Sequence, residues 1–201
     1  MKVRAVGRRA VLIECRDGAE VEAWRAELVR RRAAGELRVG EIVPGARTIL
    51  LDGVAPSIAR VVDRWTPAAR DPRSAEPPVE IPTTFDGVDL ADVARRWGVP
   101  VEEAVTRLTG TELVVAFCGF APGFAYLRGL PEAWAVPRLA APRPRVPAGS
   151  VALAGGYAGI YPAASPGGWR LVGVTTERLF DVRREPPALL TPGTRVRLVA
   201  A

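Results

Sequence analysis

The chain has 201 residues, 48% of them hydrophobic and 25% charged, which is enough apolar material for one large or two small domains with a buried core. Its 28 basic and 22 acidic side chains give a formal charge of +6, and it contains no histidine. That absence excludes a Ser-His-Asp or Cys-His catalytic unit and any imidazole metal site, and with Lys2 as the only lysine the chain has no Walker-type phosphate loop, Schiff-base lysine or biotin-acceptor lysine of its own.

The basic residues are almost all arginine, scattered among the acids and weighted towards the first 75 positions. This pattern fits a GC-rich genome better than a phosphate-binding face, so no nucleic-acid partner is expected. The opening MKVRAVGRRA carries neither a signal-peptide nor a lipidation pattern, which makes the cytoplasm the expected compartment. The longest uncharged run, Val146 to Trp169, holds six glycines and three prolines, so no membrane span is expected. Cys15 and Cys118 form no metal or redox spacing and read as unpaired thiols.

In chain order, β-prone segments at Val3–Val6 and Ala10–Glu14 precede a helical pattern with Val21, Trp24 and Leu28 on one face. An apolar strand region from Val39 to Leu51, interrupted at Pro44-Gly45, leads to a second amphipathic segment that gathers Ile58, Val61, Val62 and Trp65. Together these predict a small α+β N-terminal domain over residues 1–75. The Pro-rich, charged stretch from Trp65 to Pro82 lacks hydrophobic periodicity and reads as an extended linker, with the domain boundary near residue 75.

Two short helices should lead the second domain, residues 76–201. Asp89 is placed to cap the first, with Leu90, Val93 and Trp97 inward and Gly98 as its stop; Pro100 opens the second, which ends at Gly110. From Leu113 the runs LVVAF, SVALA, GIYP, WRLVGVT and TRVRLV alternate with Gly and Pro, the pattern of a closed or sandwiched β-domain. Ten of the 20 glycines fall between Gly119 and Gly173, and such blocks build either rigid ligand loops or the tight corners of a barrel.

Four blocks carry a resemblance: G-F-A-P-G-F-A-Y-L at Gly119–Leu127, P-R-x-x-x-P-R-x-R-V-P-A-G-S-V at Pro137–Val151, A-G-x-x-x-G-I-Y-P at Ala154–Pro162, and S-P-G-G-W-R-L-V-G at Ser165–Gly173. With the flanking Glu41–Asp52 and Leu179–Leu198 segments, the chain resembles the KipI / allophanate hydrolase subunit 1 family, which includes proteins like the B subunit of 5-oxoprolinase. The resemblance implies an α/β N-terminal domain followed by a mainly-β, cyclophilin-like barrel. It also implies a larger homologous partner, of the type of allophanate hydrolase subunit 2 or the C subunit of 5-oxoprolinase, often with a third, lactam-hydrolase-like protein. The implied activity is ATP-dependent cleavage of a small amide or lactam, as in 5-oxoprolinase, or the related carboxyltransferase-like chemistry. ATP, or biotin, would be held by another chain, and no cofactor by this one. One branch of the family, the KipI type, instead inhibits a sensor histidine kinase, so fold alone leaves two functions open. Relatives commonly carry His-Thr where this chain has Leu108-Thr109, a departure that removes a candidate acid–base group.

Candidate binding residues follow from chemistry within these blocks. Arg143 and Arg145, stiffened by prolines, either grip a carboxylate or partner or tie the loop to the barrel, and Arg138 is a weaker candidate of the same kind. Ser150 sits in A-G-S-V-A rather than a nucleophile elbow and is expected to hydrogen-bond, while Tyr161 and Ser165 offer hydroxyls to an amide. Phe120, Phe124, Tyr126 and Trp169 either line a pocket or pack the core. The Gly119–Pro122–Gly123 turn and the Gly167-Gly168 pair are candidate sources of backbone N–H donors for an oxyanion. No catalytic residue and no metal site is assigned; Asp86, Asp89, Asp92 and Asp181 lack metal-loop spacing.

Overall fold

The computed structural model describes residues 1–67 and 77–201, which group into two compact units within residues 1–75 and 76–201. The boundary expected near residue 75, and residues 68–76 of the expected linker, lie outside the described residues. No described helix is long and apolar enough to cross a membrane.

The first unit comprises β1 (Lys2–Val6), β2 (Ala10–Glu14), α1 (Gly18–Ala33), β3 (Glu41–Pro44), β4 (Thr48–Asp52) and α2 (Ile58–Val62). Its strands form an antiparallel sheet in the order β1-β2-β4-β3. Alternation in β2 and β4 turns Val11 towards Leu51 and Ile13 towards Ile49, and these four residues meet Val21, Trp24 and Leu28 of α1 in one core. The Asp17 carboxylate accepts the Glu20 N–H at 2.8 Å, an N-cap that satisfies one of the helix's orphan donors. At the Pro44-Gly45 interruption the Gly45 N–H donates to Thr48 O at 2.7 Å, making the β3–β4 hairpin.

One expectation for this unit fails in detail. Helix α2 has only five residues, and Val62 is fully buried while Val61 is 43% exposed. Neighbouring helical residues point about 100° apart, and in α2 that rotation carries Val61 out of the core that Val62 enters. Trp65 is half-buried beneath the Arg31 guanidinium, 4.1 Å from its ring centroid, a cation–π contact.

Helix α1 also carries a pH-sensitive ion cluster. Glu27, its side chain 5% exposed, accepts from Arg30 Nη2 at 2.9 Å and Arg31 Nε at 2.6 Å. The Arg30 hydrogen bond, against the opposing effect of burial and with help from Arg31, holds the Glu27 carboxyl down at about 2. That lies below the unfolded value of about 4.3, so the stabilisation is complete above roughly pH 5 and is lost as pH falls towards 2. Thermal melts should therefore show stability declining over that interval, and Glu27→Gln should flatten the decline; an unchanged acid slope in the variant would contradict the assignment.

The second unit begins with β5 (Val79–Thr83), α3 (Leu90–Arg96) and α4 (Val101–Gly110). Strands β6 (Leu113–Cys118), β7 (Ala125–Arg128), β8 (Arg143–Val146), β9 (Ser150–Ala154), β10 (Tyr157–Ile160), β11 (Ser165–Gly167), β12 (Arg170–Val174) and β13 (Arg195–Ala200) follow. Seven of these form a mixed sheet in the order β12-β9-β10-β7-β6-β13-β5, and β8 pairs with β11 separately. The sheet nearly closes on itself. Just beyond β5, Thr84 and Val174 exchange both backbone hydrogen bonds at 2.9 Å, after which Gly87 N donates to Val172 O and Asp89 N to Leu171 O. Segment 84–89 therefore runs along β12 and joins the two ends of the sheet into a barrel-like wall.

Residues Val79–Pro82, expected as part of the linker, lie instead in β5, paired in parallel with β13. The sequence V-E-I-P-T alternates, with Ile81 and Thr83 fully buried, and Pro82 is tolerated because the strand pairs on one side only. The LVVAF, SVALA, WRLVGVT and TRVRLV runs match β6, β9, β12 and β13, while of the GIYP run only Gly159 and Ile160 lie in a strand, at the end of β10. Strand β9 is buried throughout because both its faces are covered. Val151 and Leu153 enter the core shared with Leu90, Val93, Ala104 and Leu108, while Ala152 and Ala154 pack with Phe124, Tyr161 and Trp169.

Leu108 is fully buried on α4. Gly98 takes φ 66° and ends α3 as expected of a helix-terminating glycine. The Asp89 side chain, expected to cap α3, makes no capping bond. It accepts instead from Leu171 N at 2.7 Å and Arg143 Nη2 at 2.8 Å, two donors that only the closed barrel brings within reach.

Candidate functional site

The loop between β6 and β7 sets one wall of a cleft. Gly119 N donates to Phe124 O, Ala121 N to Gly119 O and Phe124 N to Ala121 O. The Gly119 and Ala121 N–H groups, considered as oxyanion donors, thus serve the turn itself. Gly123 has φ 84°, and a Cβ there would lie 2.7 Å from Phe180 Cβ, which requires glycine at this position. Phe120 adopts φ 70°, a left-handed conformation that costs a side-chain-bearing residue about 1 kcal/mol. Its ring is 62% exposed yet meets Phe124 edge-on at 5.3 Å and Tyr161 at 6.2 Å. A strained backbone that holds a large apolar ring towards solvent is the kind of feature that makes this loop a candidate for ligand or partner contact.

Phe120, Phe124, Tyr126, Tyr161, Gly167, Gly168 and Trp169 line a cavity of about 340 Å³ together with Arg138, Leu139, Ala140, Pro142 and Pro166. That volume suits a small metabolite, and the lining is largely apolar with a few polar groups, the usual chemistry of a ligand pocket. Edge-to-face contacts of Phe124 with Tyr161 (5.3 Å) and Trp169 (5.6 Å) stiffen the wall. Tyr126, Arg138 and Trp169 also border a neighbouring hollow of about 490 Å³ that reaches Phe117 and Tyr157.

The other residues singled out in the sequence lie off the cavity lining. Gly119, Pro122 and Gly123 shape the turn beneath Phe120. Ser150 is 5% exposed and donates to Pro147 O at 2.8 Å, a local structural bond. Arg145 is exposed. Ser165 Oγ is buried without a hydrogen-bond partner among the described residues. Arg143 donates to the Asp89 carboxylate at 2.8 Å and to Trp169 O at 3.3 Å, so of the two roles open to it the structure displays the tie between loop and barrel. Sequence reasoning missed Leu139, Ala140, Pro142 and Pro166, although they sit inside the Pro/Gly blocks, because their apolar character gives no chemical signal.

Electrostatics separate the arginines around the cavity. Arg170 is held by Pro137 O at 2.9 Å and by Asp92, and Arg143 by Asp89. Arg138 makes no ion pair among the described residues and lies with its guanidinium 6.0 Å from the Trp169 ring centroid. Burial raises the Tyr161 phenol above its ordinary value, opposed by a hydrogen bond from the Trp169 backbone and by the charges of Arg138 and Arg143. Cys118 Sγ points to Leu190 O at 3.4 Å, and burial raises its thiol too, which leaves it protonated and unsuited to nucleophilic attack at neutral pH.

A nearly closed mixed sheet that carries a small aromatic cleft makes the second unit a barrel-like domain. The family described as carboxyltransferase domain, subdomain C and D, matches residues 1–190. The B subunit of the 5-oxoprolinase of Escherichia coli O157:H7 is 38% identical over 208 residues, covering 96% of this chain and 93% of that protein. The chain therefore belongs to the carboxyltransferase C/D family, among its members that are similar to the B subunit of 5-oxoprolinase. Among solved structures, TTHA0988 is 35% identical with a TM-score of 0.77; the match covers 96% of this chain but only 40% of that longer one. The urea carboxylase of Kluyveromyces lactis, 17% identical with a TM-score of 0.67 over 99% of this chain and 21% of its own, shares the fold.

Proposed function

We propose that this chain is the small subunit of a heteromeric 5-oxoprolinase-type enzyme, in which the cyclophilin-like barrel offers the Phe120–Trp169 cleft as one part of a site for a small amide or lactam. The observation that carries this reading is the near full-length similarity to the B subunit of an Escherichia coli 5-oxoprolinase. TTHA0988, where the matching region is 40% of a longer chain, supports a larger partner, of the type of the 5-oxoprolinase C subunit, that completes the site. With no histidine and one lysine, the chain has few groups with which to handle ATP or move protons, so ATP binding and the catalytic groups are assigned to partner chains.

The test is reconstitution. The tagged chain, expressed in its source cells, should retrieve a larger subunit, and the purified complex should convert 5-oxoproline to glutamate with ATP consumption while the chain alone shows no turnover. Full turnover by the isolated chain would overturn the reading. So would retrieval of a histidine kinase in place of a larger subunit.

A further inference from the structure

The cleft is lined by two phenols, Tyr126 and the more deeply buried Tyr161, and by one cation, Arg138. Tyr161 is 2% exposed and its ring lines the cavity. Its own proton has no acceptor among the described residues. Gly167 makes room for it: a Cβ there would lie 2.8 Å from Tyr161 Cζ and closer still to the phenolic oxygen. The upward shift of the phenol keeps it protonated, hence a donor, at neutral pH. A hydroxyl that opens on a cavity and donates to no protein acceptor is available to donate to a ligand there. Arg138 lines the same cavity, and its charge reaches Tyr161, whereas Arg143 and Arg170 are neutralised by Asp89 and Asp92.

We infer that Tyr161 and Arg138 divide recognition of the ligand in this cleft, the Tyr161 hydroxyl donating to an uncharged carbonyl oxygen and the Arg138 guanidinium facing a carboxylate. The aromatic walls take the apolar ring or chain that joins the two groups, and a cavity of about 340 Å³ suits a small carbonyl acid. This inference rests on the proposed function, because it concerns the same cleft, but it assigns roles that the reading itself leaves open.

Three probes separate those roles: 5-oxoproline carries a ring carbonyl and a carboxylate, 2-pyrrolidone only the carbonyl, and cyclopentanecarboxylate only the carboxylate. Affinities are measured by NMR titration on the full chain and on the reconstituted complex. Tyr161→Phe keeps the ring that packs against Phe124 and removes only the oxygen. It should weaken 5-oxoproline and 2-pyrrolidone about tenfold, the worth of one hydrogen bond, and leave cyclopentanecarboxylate unchanged. Arg138→Gln should weaken 5-oxoproline and cyclopentanecarboxylate and spare 2-pyrrolidone. Wild-type binding that survives either substitution, or falls equally for all three probes, overturns the division of roles and leaves the proposed function standing. Failure of all three probes to bind either wild-type preparation overturns both.

Discussion

Gly87→Ala is expected to destabilise the second unit by about 3 kcal/mol or more, enough to unfold it at moderate temperature. Gly87 lies where segment 84–89 closes the sheet against β12. A Cβ at this position would fall inside contact distance of Leu171 O and Val172 C and 2.5 Å from Gly173 N. All three are backbone atoms, which cannot rotate away, so the chain must part at the seam, with the loss of hydrogen bonds such as the 3.3 Å bond from Gly87 N to Val172 O. Overpacking that side-chain adjustment can absorb costs about 1–3 kcal/mol; a backbone collision at a closure point lies at or above that range. Gly110→Ala is the control: it ends α4 with nothing within 4 Å of the added atom and should leave the melting temperature within a degree or two. A Gly87→Ala protein that melts with the wild type would show that the seam is open.

Asp89→Ala should cost about 3 kcal/mol. The carboxylate is 11% exposed and serves two donors, Leu171 N–H and the Arg143 guanidinium. Its removal leaves a buried amide and a partly buried cation without their partner, and orphaning a buried charge is more costly than the intact pair is worth. Melting temperature should fall by roughly 10 °C. Asp89→Asn retains an oxygen for Leu171 N–H and should cost less. Removing the stranded cation as well, in Asp89→Ala/Arg143→Met, should recover part of the loss, and the double-mutant cycle reads that coupling directly. Additive effects would mean that the two side chains do not interact in solution.

Asp89 also shows where reading the chain alone stops. An aspartate just before an apolar helical segment is a sound prediction of an N-cap, because local geometry normally offers the first turn's amides as its nearest donors. Here closure of the barrel brings Leu171 and Arg143 alongside, 82 and 54 positions away, and they take the carboxylate. The same closure decides the arginines. Arg138, Arg143 and Arg170 are chemically identical in the sequence, and only the placement of Asp89 just before α3 and of Asp92 within it distinguishes the two guanidinium groups paired with carboxylates from the one that lines the cleft.

Strand β5 was obscured for a related reason. Its prolines and flanking charges match a linker, and its pairing partner β13 lies more than 100 residues further along. The aromatic residues of the cleft were legible as a set because Gly and Pro punctuate the blocks that hold them, but chemistry by residue type could not say which would face a cavity and which would shape a turn.

What the amino-acid sequence determined by itself were the properties that act over a few residues: the alternation that makes β2 and β13, the apolar runs that make β4, β6 and β9, the apolar stripe of α1, the glycine stop of α3, and the lack of any imidazole for acid–base or metal chemistry. The tertiary structure alone decided which strands meet, which aromatic residues line the cleft, and which of Arg138, Arg143 and Arg170 pairs with a carboxylate. Those outcomes depend on donors and acceptors far apart in the chain, and hydrogen bonding and charge pairing act only over the few ångströms that folding establishes.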